Sequence, residues 1–192
     1  MELWFVDRNV EFVEACQQSF AEFDRVYVLE GNILEFAECA IVSPANSYGF
    51  MDGGIDRQYV NFFGEPIERK LQTAIQRGLG GFPHERLNQE AIAKRKEGYL
   101  PVGSAEIIET CHSRIPYLIA APTMITPEVV SAENCFYATI AILIAASKHY
   151  DIITKIYCPG LGTGIGKVSP QIAAKEMSMA YRKWSNKVHY QM

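Results

Sequence analysis

Cys158-Pro159-Gly160-Leu161-Gly162-Thr163-Gly164-Ile165-Gly166-Lys167 is the stretch on which the reading of this chain turns. An apolar run of strand character, 152–158, leads into it, and Ser169-Pro170 follows it. Ser169 is a good helix cap, and a proline at the first helical position loses no hydrogen bond there. Strand, glycine loop and helix in that order make one α/β unit. Glycines at 160, 162, 164 and 166 bare the backbone N–H groups and admit a close approach. Successive amides in such a turn form an anion-binding nest, to which the next helix adds its dipole. Diphosphate is the guest this suits. Without a ligand the same loop would be only a tight turn, built with an unusual number of glycines.

Two familiar phosphate loops are excluded. A dinucleotide fingerprint, Gly-x-Gly-x-x-Gly, read from Gly160 would need glycine where Ile165 stands, and too little chain follows for a second strand with a ribose-binding acid. A nucleoside triphosphate loop would need glycine at Leu161 and Ser or Thr at Val168.

Outward from this loop, short apolar, β-branched runs alternate with helical patterns, the signature of α/β layering. Strands are expected at 3–6, 26–29, 40–42, 105–109, 117–121 and 152–158. Asn9 is placed to cap a helix reaching about Phe20, with Val10, Val13 and Phe20 on one face. A second helical pattern covers 56–77 and breaks near Gly64–Pro66. A third, 132–149, is apolar nearly all round and should be deeply buried. The last runs from Ser169 to about Trp184. Segment 80–98 is polar and charged, either a solvated excursion or a flap over a ligand site.

A second loop of the same kind follows the run 40–42: Ser43-Pro44-Ala45-Asn46-Ser47-Tyr48-Gly49-Phe50-Met51-Asp52-Gly53-Gly54-Ile55-Asp56. In open α/β sheets ligands gather at the carboxyl ends of strands, where both loops would lie. The Asn46 amide can donate and accept, which suits sugar hydroxyls. Gly53-Gly54 permits backbone approach. Asp56, just inside a helix, either serves chemistry or only favours the helix dipole.

These residues resemble the macrodomain family. Ser43-Pro44-Ala45-Asn46 through Gly53-Gly54-Ile55-Asp56 resembles its Asn-Ala-Ala-Asn…Gly-Gly-Val-Asp signature. Gly162-Thr163-Gly164-Ile165-Gly166 resembles its phosphate loop, and Gly31-Asn32-Ile33 its Gly-Asp-Ile turn. The resemblance covers about 31–180 and implies a three-layer α/β/α fold, a mixed central sheet, and an ADP-ribose cleft at its rim. Asn32 and Ile33 would meet adenine; Gly53, Gly54 and Ile55 would flank the diphosphate and distal ribose. Gly162, Thr163, Gly164, Ile165 and Gly166 would wrap the diphosphate. Asn46 would hold the distal ribose, and Asp56 would take the acid position of hydrolytic members, making these two the catalytic candidates. The chain departs from the family at Asn32, usually Asp, and at Ser43-Pro44, usually Asn-Ala. It also resembles the branch that uses a Lys nucleophile with an Asp, yet it carries Asn61 and Phe62 near the Lys position and Lys167 at the Asp position. The stacking aromatic has no clear counterpart except Tyr190.

Composition sets the outer bounds. The 192 residues fit one domain, 48 % hydrophobic and 21 % charged. A net charge of -4 opposes sequence-independent nucleic-acid binding, and no sequence-specific binding is expected. The five cysteines, Cys16, Cys39, Cys111, Cys135 and Cys158, are scattered and form no metal-ligand set, so neither metal nor cofactor is implied and reduced thiols are expected. No apolar run reaches the ~20 residues of a membrane span, and no signal peptide is evident, so a cytoplasmic location is expected. Two functions remain: hydrolysis of an ADP-ribosyl linkage or of ADP-ribose-1″-phosphate, or ADP-ribose binding without turnover. An emptied structural cleft would have no use for both glycine loops.

Overall fold

The structure, a computed structural model, describes residues 1–77 and 98–189, with the side chains of 187–189 left aside. In chain order the elements are β1 (Glu2–Asp7), α1 (Val10–Ser19), β2 (Val26–Glu30), α2 (Ile33–Phe36), β3 (Ala40–Ser43), α3 (Gly54–Phe63), α4 (Pro66–Arg77), β4 (Glu106–Glu109), β5 (Tyr117–Ala120), α5 (Glu133–Ser147), β6 (Lys155–Cys158) and α6 (Pro170–His189). The strands form one sheet in the order β2-β1-β6-β3-β5-β4. Every pairing is parallel except the antiparallel β4–β5 edge, so the sheet is mixed, as expected.

The apolar runs are continuous because both faces are covered. Along β1, Leu3 and Phe5 point to one core with α1, α5 and α6, while Val6 belongs to the other. In the same alternation Val42, Ile119 and Ile156 fill the first core, and Ile41, Leu118 and Tyr157 the second, under α2, α3 and α4. The three layers follow from this period of two. The helix α5 is buried along most of its length, including Cys135, Ile142 and Leu143.

Several local expectations are corrected. Val10 lies at the solvent side of the first turn, 47 % exposed, and Phe12 takes the core position instead. The run 152–158 pairs as a strand only from Lys155. Before it, Ile152 and Ile153 donate their N–H groups to the His149 carbonyl, and Ile153 is a buried plug without a ladder. The last helix passes Trp184 because no glycine or proline stops it, and the Trp184 indole donates to Ser147 Oγ at 3.0 Å. The four-residue α2 is too short to show a period. The Asn9 cap holds: its side chain accepts from the N–H groups of Glu11 and Phe12. All five cysteines are free, with Cys16, Cys135 and Cys158 buried. Most of segment 80–98, and Tyr190, lie outside the described residues.

Leu143 faces the α1/α6 side of the sheet with no exposed surface. Leu143→Ala should lower unfolding free energy by about 2–5 kcal/mol, read from denaturant melts.

Candidate functional site

The chain leaves β2 and β1 toward one edge of the sheet and β3 and β5 toward the other, with β6 between β1 and β3. The parallel strands thus end together on one side, and a cleft of about 380 Å³ opens there. Across it, in sheet order, stand Gly31-Asn32-Ile33 after β2, Asp7-Arg8 after β1 and the glycine loop after β6. Beyond them come the 44–56 loop after β3 and Thr123-Met124 after β5. With strands about 4.8 Å apart, β2 to β5 spans about 19 Å. All twelve site residues expected from the sequence border this one cleft.

The glycine loop is held by its own geometry. Gly162 has φ +70°, and a Cβ there would stand 2.9 Å from Cys135 Sγ. A Cβ on Gly166 would stand 2.6 Å from the Gly162 carbonyl oxygen and 2.9 Å from Val130. The loop closes through Val168 N–H to Gly162 O at 3.1 Å and Lys167 N–H to Gly164 O at 3.2 Å. Among the described hydrogen bonds, none is donated by the N–H groups of Thr163, Gly164, Ile165 or Gly166. Across the cleft Gly53 caps α3 without a side-chain hydrogen bond, so the first amides of that helix are a second donor set. A Cβ on Gly53 would come within 3.9 Å of Ile165 Cδ1, so the two loops nearly meet over the cleft.

Both asparagines turn out to be committed to their own backbones. Asn46 Oδ1 accepts from the N–H groups of Tyr48 (3.0 Å) and Phe50 (3.3 Å), and its Nδ2 donates to the Phe50 carbonyl. It locks the 46–50 loop and leaves one amide hydrogen for the cleft. Asn32 caps α2, accepting from Leu34 N–H, while its Nδ2 donates to Glu35 at 3.1 Å. Aspartate at that position would face the Glu35 carboxylate, which gives a physical reason for the amide.

Asp56 is buried on the first turn of α3. Ser43, the last residue of β3, donates its hydroxyl to Asp56 Oδ1 at 2.5 Å. Burial pushes the carboxyl up from its ordinary 3.8 to about 7, against the lowering effect of the Ser43 hydrogen bond. Asn61 and Lys167 are exposed and outside the cleft lining.

Sequence reasoning missed Asp7, Arg8, Phe50 and Thr123. Asp7 ties the site together: Oδ1 accepts from Asn9 N–H at 2.9 Å, and Oδ2 from Gly160 N–H at 2.8 Å. Its place at the carboxyl end of a central strand was the available signal. Phe50 forms part of the rim and is 52 % exposed. Thr123 is buried, with a hydroxyl lacking a partner among the described residues.

A macro-like domain profile matches residues 30–187. The chain belongs to the macro-like domain family. An uncharacterized protein of Aquifex aeolicus is 34 % identical over 163 residues, which cover 84 % of each chain. The macrodomain of Mycobacterium tuberculosis DarG shares the fold with TM-score 0.58 at 16 % identity, over 80 % of this chain and 87 % of that one. Thermosipho africanus DarTG, solved in complex with ADP-ribose, aligns with TM-score 0.59 at 13 % identity, over 87 % of this chain and 46 % of that one. The mixed sheet between two helical layers is thus the macrodomain α/β/α fold. Among the described residues, no helix of this macro-like domain is long and apolar enough to cross a membrane.

Two outcomes test the site's construction. Gly166→Ala forces a Cβ against backbone and should cost about 1–3 kcal/mol, whereas Gly164→Ala enters open space and should stay within about 0.5 kcal/mol in parallel melts. The Asp56 carboxyl is raised in the fold, so its protonated form is favoured there. Its contribution to stability is present below pH about 4 and is lost as pH rises to about 7, up to about 4 kcal/mol in all. Asp56→Asn should therefore melt higher than wild type at pH 8, with the gap closing by pH 4.

Proposed function

We propose that this macro-like domain binds ADP-ribose or a derivative, laid across the strand ends with adenine toward Asn32 and Ile33 and the distal ribose toward Asn46. The observation that carries this reading is the pair of amide sets that donate no described hydrogen bond, the glycine loop and the α3 N-terminus, both bordering the cleft where Gly53 approaches Ile165. That is where a diphosphate joining two nucleoside-like ends would fall. Backbone donors fixed in place cost no reorganisation on binding, which suits a charged guest. The Thermosipho africanus neighbour, solved with ADP-ribose, supports the same ligand class.

Hydrolysis of an ADP-ribosyl bond is the second reading, favoured by Asp56. A buried carboxyl that borders the cleft and titrates near neutrality fits a general base taking a proton from attacking water. Asn46 would act beside it by holding the loop that receives the distal ribose. Without turnover the same cleft is a reader of ADP-ribosyl groups.

Calorimetric titration with ADP-ribose should give a dissociation constant in roughly the micromolar range, near -8 kcal/mol. Adenosine should bind far more weakly. No heat and no thermal shift at millimolar ADP-ribose would remove this reading.

A further inference from the structure

The two ends of the cleft differ in charge. Among the described lining residues one side chain is basic, Arg8; it follows β1, toward the Asn32 end, where its charge is balanced by its neighbour Asp7. The lining of the end after β3 carries Asp52 and Asp56 and no described cation, Arg57 being exposed on α3 outside the lining. Asp56 sits in the first turn of α3, so the helix already has an internal anion at its positive end. The rim here joins the exposed Asp52 to an apolar patch at Phe50, whose ring is half exposed.

We infer that this end selects against charge: the cleft takes an ADP-ribosyl group whose 1″ substituent is uncharged and rejects one bearing a phosphate there. The inference rests on the ADP-ribose reading and narrows it. Like charges a few ångströms apart repel unless a cation or a donor intervenes, and most strongly beside a buried group such as Asp56. The two amide sets border the cleft, and on the ADP-ribose reading they are taken up by the diphosphate. A third phosphate would meet Asp56, whose Oδ1 already receives Ser43. An uncharged group would instead lie along Phe50.

Three ligands separate the possibilities in titrations at pH 8: ADP-ribose, its 1″-O-alkyl acetal and ADP-ribose-1″-phosphate. The acetal should bind within a few fold of ADP-ribose, and the phosphate at least about tenfold more weakly than the acetal. In Asp56→Asn the phosphate-to-acetal ratio should fall by about tenfold, the fold being checked by its melt. Phosphate binding equal to that of the acetal in wild type overturns the inference, with or without a folded variant. Equal loss of both substituted ligands overturns it too, because bulk rather than charge would then decide. Absence of ADP-ribose binding itself sinks the underlying reading and this inference with it.

Discussion

Everything at the ligand end depends on β6 lying between β1 and β3 in parallel register. Leu3 and Ala40 both pair with Ile156, one from each side, so the loops after all three strands emerge at the same level. The glycine loop therefore has neighbours on both flanks. Asp7 from β1 fixes its first glycine, and Gly53 from the β3 loop approaches its Ile165. Move β6 to an edge and the amides would face solvent on one side. The apolar centres of the inner strands, Leu3–Val6 in β1 and Ala40–Val42 in β3, are the means: where a sheet is covered on both faces, charged residues are confined to the strand ends. At the carboxyl ends, Asp7 closing β1 and Ser43 closing β3 are then the first polar residues to reach the cleft side.

This arrangement also explains what could be read in advance. Alternating glycines announce exposed amides directly, and strand–loop–helix order places them, so the glycine loop and the α/β layering were legible; the three layers and the mixed sheet came only through the family resemblance. Side-chain partners were not. Asn46 and Asn32 were recognisable as polar residues in the right loops, but residue type does not tell whether an amide faces a ligand or its own backbone. Here each caps or locks its loop first. The Ser43–Asp56 pair spans thirteen residues and depends on α3 folding back over the end of β3, which no local pattern shows. Val10 failed for a simpler reason: at a helix start, a residue with core periodicity still faces outward when the cap sets the entry angle.

Those committed asparagines change how the site is built. A side chain that must first hold its own loop contributes rigidity, and a ligand then meets backbone positioned by it. The macro-like cleft accordingly sets the main-chain donors of two loops beside the carboxyls of Asp52 and Asp56. Gly160 shows how tight this is: its N–H is held by Asp7, and a Cβ there would lie 2.8 Å from Thr163 Oγ1 and 3.1 Å from Asp7 Oδ2. Arg8 adds charge only at one end.

Main-chain donors and buried carboxyls answer pH differently, and the cleft uses both. Amides do not titrate, so the middle of the cleft offers an anion the same field across the physiological range. Asp56 does titrate there, because burial holds its carboxyl near neutrality while Ser43 supplies the one hydrogen bond that favours its charged form. Below that point the carboxyl can donate a hydrogen bond; above it, it only accepts and repels anions. An anion held by those amides would be held independently of pH, while Asp56 beside it carries a charge that is finely balanced. A lysine or arginine at the distal end would have erased that difference by pairing with Asp56 and lowering its pKa. The end of the cleft lined by Asp52 and Asp56, with no cation among its described lining residues, is therefore what leaves this carboxyl near neutrality.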